Sequence, residues 1–320
     1  MSAHSARMKR LFLFLPLLLS TTSLFAVDVK QVVDSTAFVI EEAFVYPERG
    51  KEIGRALRTQ KIDPKLEGKA LAEALTKAVQ AIEDDGHLNV RFDPDKASAP
   101  FATPDELRER LQPMRRMRPG DVPERPAQLS SKMLDGNVGY LEILEFERPR
   151  IAEPQITAAM QAIEGAKAVI IDLRKCRGGA QPTVDFLASY FFPQDNRLLL
   201  KSRMRGMPER ESHVIETPTR SFENVPLYIL IGEKTFSAGE AFAYIIQQFG
   251  RATVVGTRTR GGGRHNMFVE IGGGYTVSVS IGEVEHPKTG TGWQSTGVVP
   301  NVKAEDALAE AVKLAAAAKA

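Results

Sequence analysis

AVIIDLRKCRGGA, residues 168–180, is an apolar run that ends at Asp172, passes through a basic turn and reaches the paired glycines Gly178 and Gly179. A continuous apolar run this short, closed by turn residues, reads as a strand covered on both faces. VPLYILIG (225–232) repeats the pattern downstream, and GYLEILEF (139–146) precedes it. Helical spacing falls between these strands, around Pro154–Ile163 and over DFLASYFF (185–192). SAGEAFAYIIQQFG (237–250) opens a further helix, and ATVVGT (252–257), MFVEI (267–271) and YTVSVSIG (275–282) read as strands. An Ala-rich helix over 305–319 closes the chain. Alternating strands and helices with buried strands predict a layered α/β core.

Upstream of that core the periodicity is helical. DSTAFVIEEAFVYP (34–47), ERGKEIGRALRTQ (48–60) and KALAEALTKAVQAIEDD (69–85) each carry an apolar face, which predicts a small three-helix bundle. HLNVRFDP (87–94) alternates like a short strand, and residues 95–134 are Pro- and Arg-rich, a linker with room for one helix. The expected organisation is a leader over 1–26, a helical bundle over 27–94, a linker over 95–134 and an α/β catalytic core over 135–320.

Arg7, Lys9 and Arg10 followed by LFLFLPLLLSTTSLFA (11–26) have the form of a secretory signal peptide. An uncleaved anchor is the alternative, but the apolar run is shorter than the ~20 residues a spanning helix needs. Export is therefore expected, to the periplasm or beyond, without stable membrane insertion once the leader is removed. Without those three cations the formal charge of +2 becomes −1, which gives no electrostatic case for a nucleic-acid partner. Hydrophobic residues at 43% suffice for a sizeable core, and the single cysteine, Cys176, allows no internal disulfide.

Three segments could carry chemistry, two of them following core strands, where α/β sheets place their sites. Ser237 opens the helix after VPLYILIG, so its hydroxyl lies at the positive end of a helix dipole. Ser237 and Glu240 also form S-x-x-E, a plain capping box, and the flanking residues exclude a G-x-S-x-G elbow. The Gly178-Gly179 turn can aim backbone N–H groups at an anion or carbonyl, or can serve geometry alone. A serine nucleophile needs a base, and residues 27–320 hold four histidines: His87, His213, His265 and His286. His87 lies in DDGHLNV (84–90), after a glycine turn. No histidine pair has metal-ligand spacing, so no metal is expected, and Cys176 reads as an inert small residue.

As an ordered set these segments resemble the tail-specific (carboxy-terminal processing) protease family, in its tricorn-core and interphotoreceptor retinoid-binding branch. The family's DLR-x-x-x-GG is matched by Asp172 through Gly179, its S-A-x-E by Ser237-Ala238-Gly239-Glu240, and its closing G-V-x-P-D, with Asn301 in place of the final Asp, by Gly297 through Asn301. VYPERGKEIGRAL and DDGHLNV resemble the helical region of the retinoid-binding branch. The resemblance implies a crotonase- or caseinolytic-protease-like spiral β core and a serine endopeptidase that needs no cofactor. It makes Ser237 the nucleophile, with Gly178 or Gly179 and Ala238 supplying the oxyanion hole. The lysine of the family's Ser–Lys branch falls at Gly262, which leaves the D-x-H histidine, His87, as base and His265 in reserve. Gly86 stands where the tricorn-like tetrad has a serine. Gln294 takes the place of its orienting glutamate, able to hydrogen-bond but uncharged. The 95–134 segment is too short for the family's PDZ module. The implied partner is a polypeptide substrate. A catalytically degenerate binder of an apolar ligand or peptide is the second reading, and acyl-CoA chemistry a distant third given export.

Overall fold

The computed structural model describes residues 28–112, 128–219 and 221–318. The expected leader lies outside them. The chain opens with α1 (Val29–Ala43), α2 (Pro47–Arg58) and α3 (Gly68–Ile82), followed by strand β1 (Asn89–Phe92) and helix α4 (Pro104–Arg110). Asp28 caps α1, its carboxylate accepting from the Lys30 N–H, and Thr103 and Glu106 form a complete capping box on α4. Next come β2 (Leu129–Leu134), β3 (Val138–Ile143), α5 (Pro149–Ala162), β4 (Ala168–Asp172), α6 (Gln181–Ser189), β5 (Leu198–Met204) and β6 (Arg210–His213). The chain finishes with β7 (Leu227–Ile231), α7 (Ala238–Gln248), β8 (Thr253–Gly256), β9 (Arg264–Gly272), β10 (Tyr275–Glu285), β11 (Val302–Lys303) and α8 (Ala307–Ala317).

The strands form two sheets. The first runs β11-β8-β7-β4-β3-β2, parallel throughout except for β2, which returns antiparallel to β3. All five residues of β4 and all five of β7 are buried, as their unbroken apolar sequences require. One face of this sheet packs against α5, α6 and α7 through Leu141, Ile171, Ile229, Ala241 and Ile245. The other face packs against α8, whose Ala307, Ala311 and Ala315 recur every four residues and let the helix backbone approach Ile170, Leu230 and Val255.

The second sheet runs β1-β10-β5-β6, with β9 also paired to β10, and all its pairings are antiparallel. Its inward side chains Val269, Ile271, Val277 and Val279 meet Val32, Ile40, Leu71 and Leu75 of the N-terminal helices in one cluster. The helices are therefore joined to this sheet by a continuous apolar interface. β1 brings residues 84–90 onto the sheet by pairing Asn89 with Ser278. Among the described residues no helix is long and apolar enough to cross a membrane.

Candidate active site

Parallel pairing makes β4 and β7 end at the same edge of the first sheet. The turns that follow are stitched together. Thr235 Oγ1 donates to the Leu173 carbonyl at 2.8 Å and accepts from the Gly232 N–H at 2.9 Å. The Phe236 N–H donates to the Cys176 carbonyl at 3.0 Å. Residues 173–180 and 232–237, far apart in sequence, thus form one wall.

Ser237 stands on that wall with φ +52° and ψ −116°. A non-glycine residue there is strained, at a cost of about 1–3 kcal/mol, and persists only when its surroundings over-determine it. Glu240 supplies that constraint. Its fully buried carboxylate accepts from the Ser237 N–H (2.8 Å), the Gly262 N–H (2.8 Å), the Gly261 N–H (2.6 Å) and Thr259 Oγ1 (2.5 Å). Burial pushes the Glu240 carboxyl up from its ordinary value, and the four donors work against that rise by favouring the charged form. The S-x-x-E pattern is therefore more than a cap: Glu240 ties the serine turn to the 259–262 turn.

The paired glycines have separate tasks. Gly178 is buried at φ +116°, and a Cβ there would stand 2.9 Å from the Ser237 Cβ, so the serine turn can close only against glycine. Gly179, at φ +133°, bridges in parallel to Phe146. That bridge uses the Gly178 carbonyl and the Ala180 N–H, so the amide of Gly179 itself faces away from Phe146. Gly179 is exposed and lines the same cavities as Ser237. Ala238 opens α7, so its N–H has no intrahelical acceptor and carries the positive end of the dipole. Cys176 is buried beneath the turn, which pushes its thiol up to about 12 and makes it inert at neutral pH.

His87 lies across from this wall, 4% exposed, its ring 4.6 Å from that of Phe236. Neither ring nitrogen has a hydrogen-bond partner, and Nδ1 is 3.8 Å from Asp85 Oδ1. Burial pushes the imidazole down to about 4, overcoming the attraction of Asp85. Asp85 is fixed by its own bonds, accepting from the His87 N–H, Arg264 Nη1 and Ser280 Oγ. Phe236 fills a notch between two glycines. A Cβ on Gly86 would lie 3.1 Å from its ring and one on Gly262 only 2.3 Å away, while Arg260 lies 5.2 Å over the ring. With Phe236 so placed, no lysine could occupy position 262.

His265 lies on the other side of Ser237, in a cavity of about 40 Å³ that also touches Gly179, Ala238 and Trp293. Its Nε2 shares a 2.9 Å hydrogen bond with Ser202 Oγ. Gln294 is occupied elsewhere. Its Oε1 accepts from the Gly263 N–H and its Nε2 donates to the Asp84 carbonyl, so it clamps two loops and Asp85 is the polar group beside His87. No hydrogen bond joins Ser237 Oγ to either imidazole. Ser237, His87, Gly179 and Phe236 all open on one cleft of about 770 Å³. Sequence reasoning missed Phe236 and the packing role of Gly86, since a glycine on one loop signals nothing about an aromatic ring from another.

Residues 137–304 match the model of peptidase family S41. The chain belongs to that family. An S41 relative, the carboxyl-terminal-processing protease of Synechocystis, is 29% identical over 164 residues, covering 51% of this chain and 37% of that one. The chain spans a little over a third of the length of such curated relatives. Two solved structures share the fold of this S41 chain. A lipoprotein from Streptococcus agalactiae has a TM-score of 0.58 at 13% identity, covering 97% of this chain and 99% of its own. The photosystem II D1 C-terminal processing protease has a TM-score of 0.51 at 16% identity, covering 86% and 93%.

Proposed function

We propose that this chain is an exported serine peptidase that cleaves polypeptides through an acyl-enzyme, with Ser237 as nucleophile and His87 as general base. The observation that carries the reading is Ser237 held in a strained backbone conformation beside two outward-facing amides, on one cleft with a buried neutral imidazole.

In the first half-reaction Ser237 Oγ attacks the scissile carbonyl carbon while His87 takes its proton. Nδ1 faces Asp85, which leaves Nε2 as the acceptor. The oxygen that gains charge is received by the N–H groups of Gly179 and Ala238, with the α7 dipole adding to their field. Gly178 serves this arrangement through packing, its amide lying on the Cys176 side. The imidazolium then protonates the departing amine, and a water activated by the same imidazole hydrolyses the ester. General-base reach is about 2.6–3.2 Å, and His87 makes no hydrogen bond to Ser237 here, so the two must approach when substrate enters. His265, already bonded to Ser202, is the reserve base. Gln294 positions the loop that carries His87, and Asp85 takes the orienting place beside the ring.

The same reading assigns residues 135–320 to a crotonase-like catalytic core, 27–94 to a helical unit and 95–134 to a connecting segment that carries α4 and adds β2 to the edge of the core's first sheet. It places the mature protein in the periplasm or outside the cell. Cleavage of an unfolded polypeptide by the wild type, lost in Ser237→Ala and reduced in His87→Ala, is the expected result. Equal cleavage by Ser237→Ala and wild type would overturn it. No cleavage by any form would leave the cleft as a binding site for an apolar ligand or peptide.

A further inference from the structure

The large cleft is lined by four cationic side chains, Arg91, Arg177, Lys234 and Arg260, and by a single carboxylate, Glu145. That excess is local, because residues 27–320 carry a formal charge of only −1. Arg177 is paired with Glu145, at 3.6 Å and well exposed. Arg91, Lys234 and Arg260 make no ion pair among the described residues, although this chain pairs many of its other surface charges.

Arg91 and Arg260 are also held in place. Arg91 lies 4.5 Å over the ring of Phe268, itself 52% exposed, and donates through Nε to Asn89 Oδ1 at 3.2 Å. Arg260 lies 5.2 Å over Phe236, the residue next to Ser237. A guanidinium resting on a ring keeps edge N–H donors that a carboxylate can take in pairs, and little rotamer freedom remains to be lost on binding. Lys234 adds an exposed cation on the turn that precedes the serine.

We propose that this cleft selects polypeptide segments bearing Asp or Glu side chains near the bond presented to Ser237, with Arg91, Lys234 and Arg260 as the specificity-determining residues. The proposal deepens the peptidase reading and rests on it for the position of the scissile bond. Recognition by the cleft itself can be measured without turnover. Each cation that engages a carboxylate near the surface raises affinity about 2- to 5-fold at low salt. Together the three give a preference on the order of 10-fold or more for an acidic peptide over its Gln counterpart, shrinking as added salt shortens the screening length.

The test uses the full chain as Ser237→Ala, with fluorescent decapeptides that carry Glu, Gln or Lys at the central positions, each with a free or an amidated C-terminus. Fluorescence anisotropy reads the affinities at 20 and 500 mM NaCl. The expected order is Glu tighter than Gln tighter than Lys, unchanged by amidation and compressed at high salt. In Arg91→Gln/Lys234→Gln/Arg260→Gln the order should collapse, while circular dichroism checks that the fold persists. Equal binding of the Glu and Gln peptides would overturn the proposal, as would discrimination that follows the free C-terminus and ignores the side chains. The same peptides offered to the wild type report cleavage separately. Selective binding without cleavage would count against the peptidase reading and leave the acidic preference standing.

Discussion

Glu240→Gln removes one charge and alters two of the four hydrogen bonds that hold the serine turn. The carboxylate accepts two donors on each oxygen, Thr259 Oγ1 and the Gly261 N–H on Oε1, the Gly262 and Ser237 N–H groups on Oε2. An amide keeps one oxygen: with its NH₂ at the Oε2 place it orphans the Gly262 and Ser237 N–H groups, and at the Oε1 place it can donate to Thr259 Oγ1 but orphans the Gly261 N–H, in a site with no exposure. At about 1–3 kcal/mol for each buried orphan donor, the less costly placement carries a penalty of roughly 1–3 kcal/mol. Relief from burying a charge returns part of this, for a net loss of about 1–2 kcal/mol. Thermal unfolding followed by circular dichroism should move down by roughly 2–3 °C. The Ser237 N–H is among the groups that can lose a partner, so its strained backbone should relax. Reaction with a fluorophosphonate should then slow by about 100-fold, the order expected when a reacting group is displaced by an ångström. A variant that unfolds within about 1 °C of wild type and labels at an unchanged rate would refute the idea that Glu240 holds the nucleophile.

His87, pushed down to about 4 by burial, should remain a competent base well into acid, so labelling of the serine should hold from pH 8 to about 5 and be half lost near 4; a midpoint near 6.5 would contradict this. Between about 6.5 and 4 the unfolded chain binds a proton that folded His87 refuses, so stability falls as pH drops through that window, by up to about 3 kcal/mol. Urea unfolding of wild type and His87→Gln at pH 7 and pH 4.5 should show a smaller loss in the variant. Phe236→Ala should open the notch and raise the His87 titration, read by NMR, toward its ordinary value. Gly262→Ala should cost about 1–3 kcal/mol through its clash with the Phe236 ring, and most of that should vanish when combined with Phe236→Ala, a coupling that a double-mutant cycle measures.

The parallel sheet was legible because β4 and β7 are buried on both faces and their sequences are correspondingly continuous. β5 and β6 were not: LLLKSRM mixes apolar and charged residues because its burial is mixed, and RESH has no buried position at all. Residues 95–134 read as a linker with room for one helix, and α4 falls there; β2 was not legible, because it is short with no buried position and so carries little periodicity. Around the site, Ser237 and the glycine turn were visible as strand-end motifs, and the serine turn's S-x-x-E was readable as a local cap. That Glu240 also reaches Thr259, Gly261 and Gly262 depends on a contact between distant loops, which no local pattern encodes. The choice between Gly178 and Gly179 likewise needed the bridge to Phe146, since two adjacent glycines are identical in sequence and opposite in the direction of their amides.

The central claim is that the Ser237 hydroxyl is an activated nucleophile. Treatment of the intact protein with a fluorophosphonate, followed by trypsin and mass spectrometry, tests it most directly. A single adduct is predicted on Ser237, within the peptide spanning residues 235–251, absent in Ser237→Ala and formed more slowly in His87→Ala. An unmodified residue 237 after prolonged exposure at pH 8, with the protein still folded, would contradict the account.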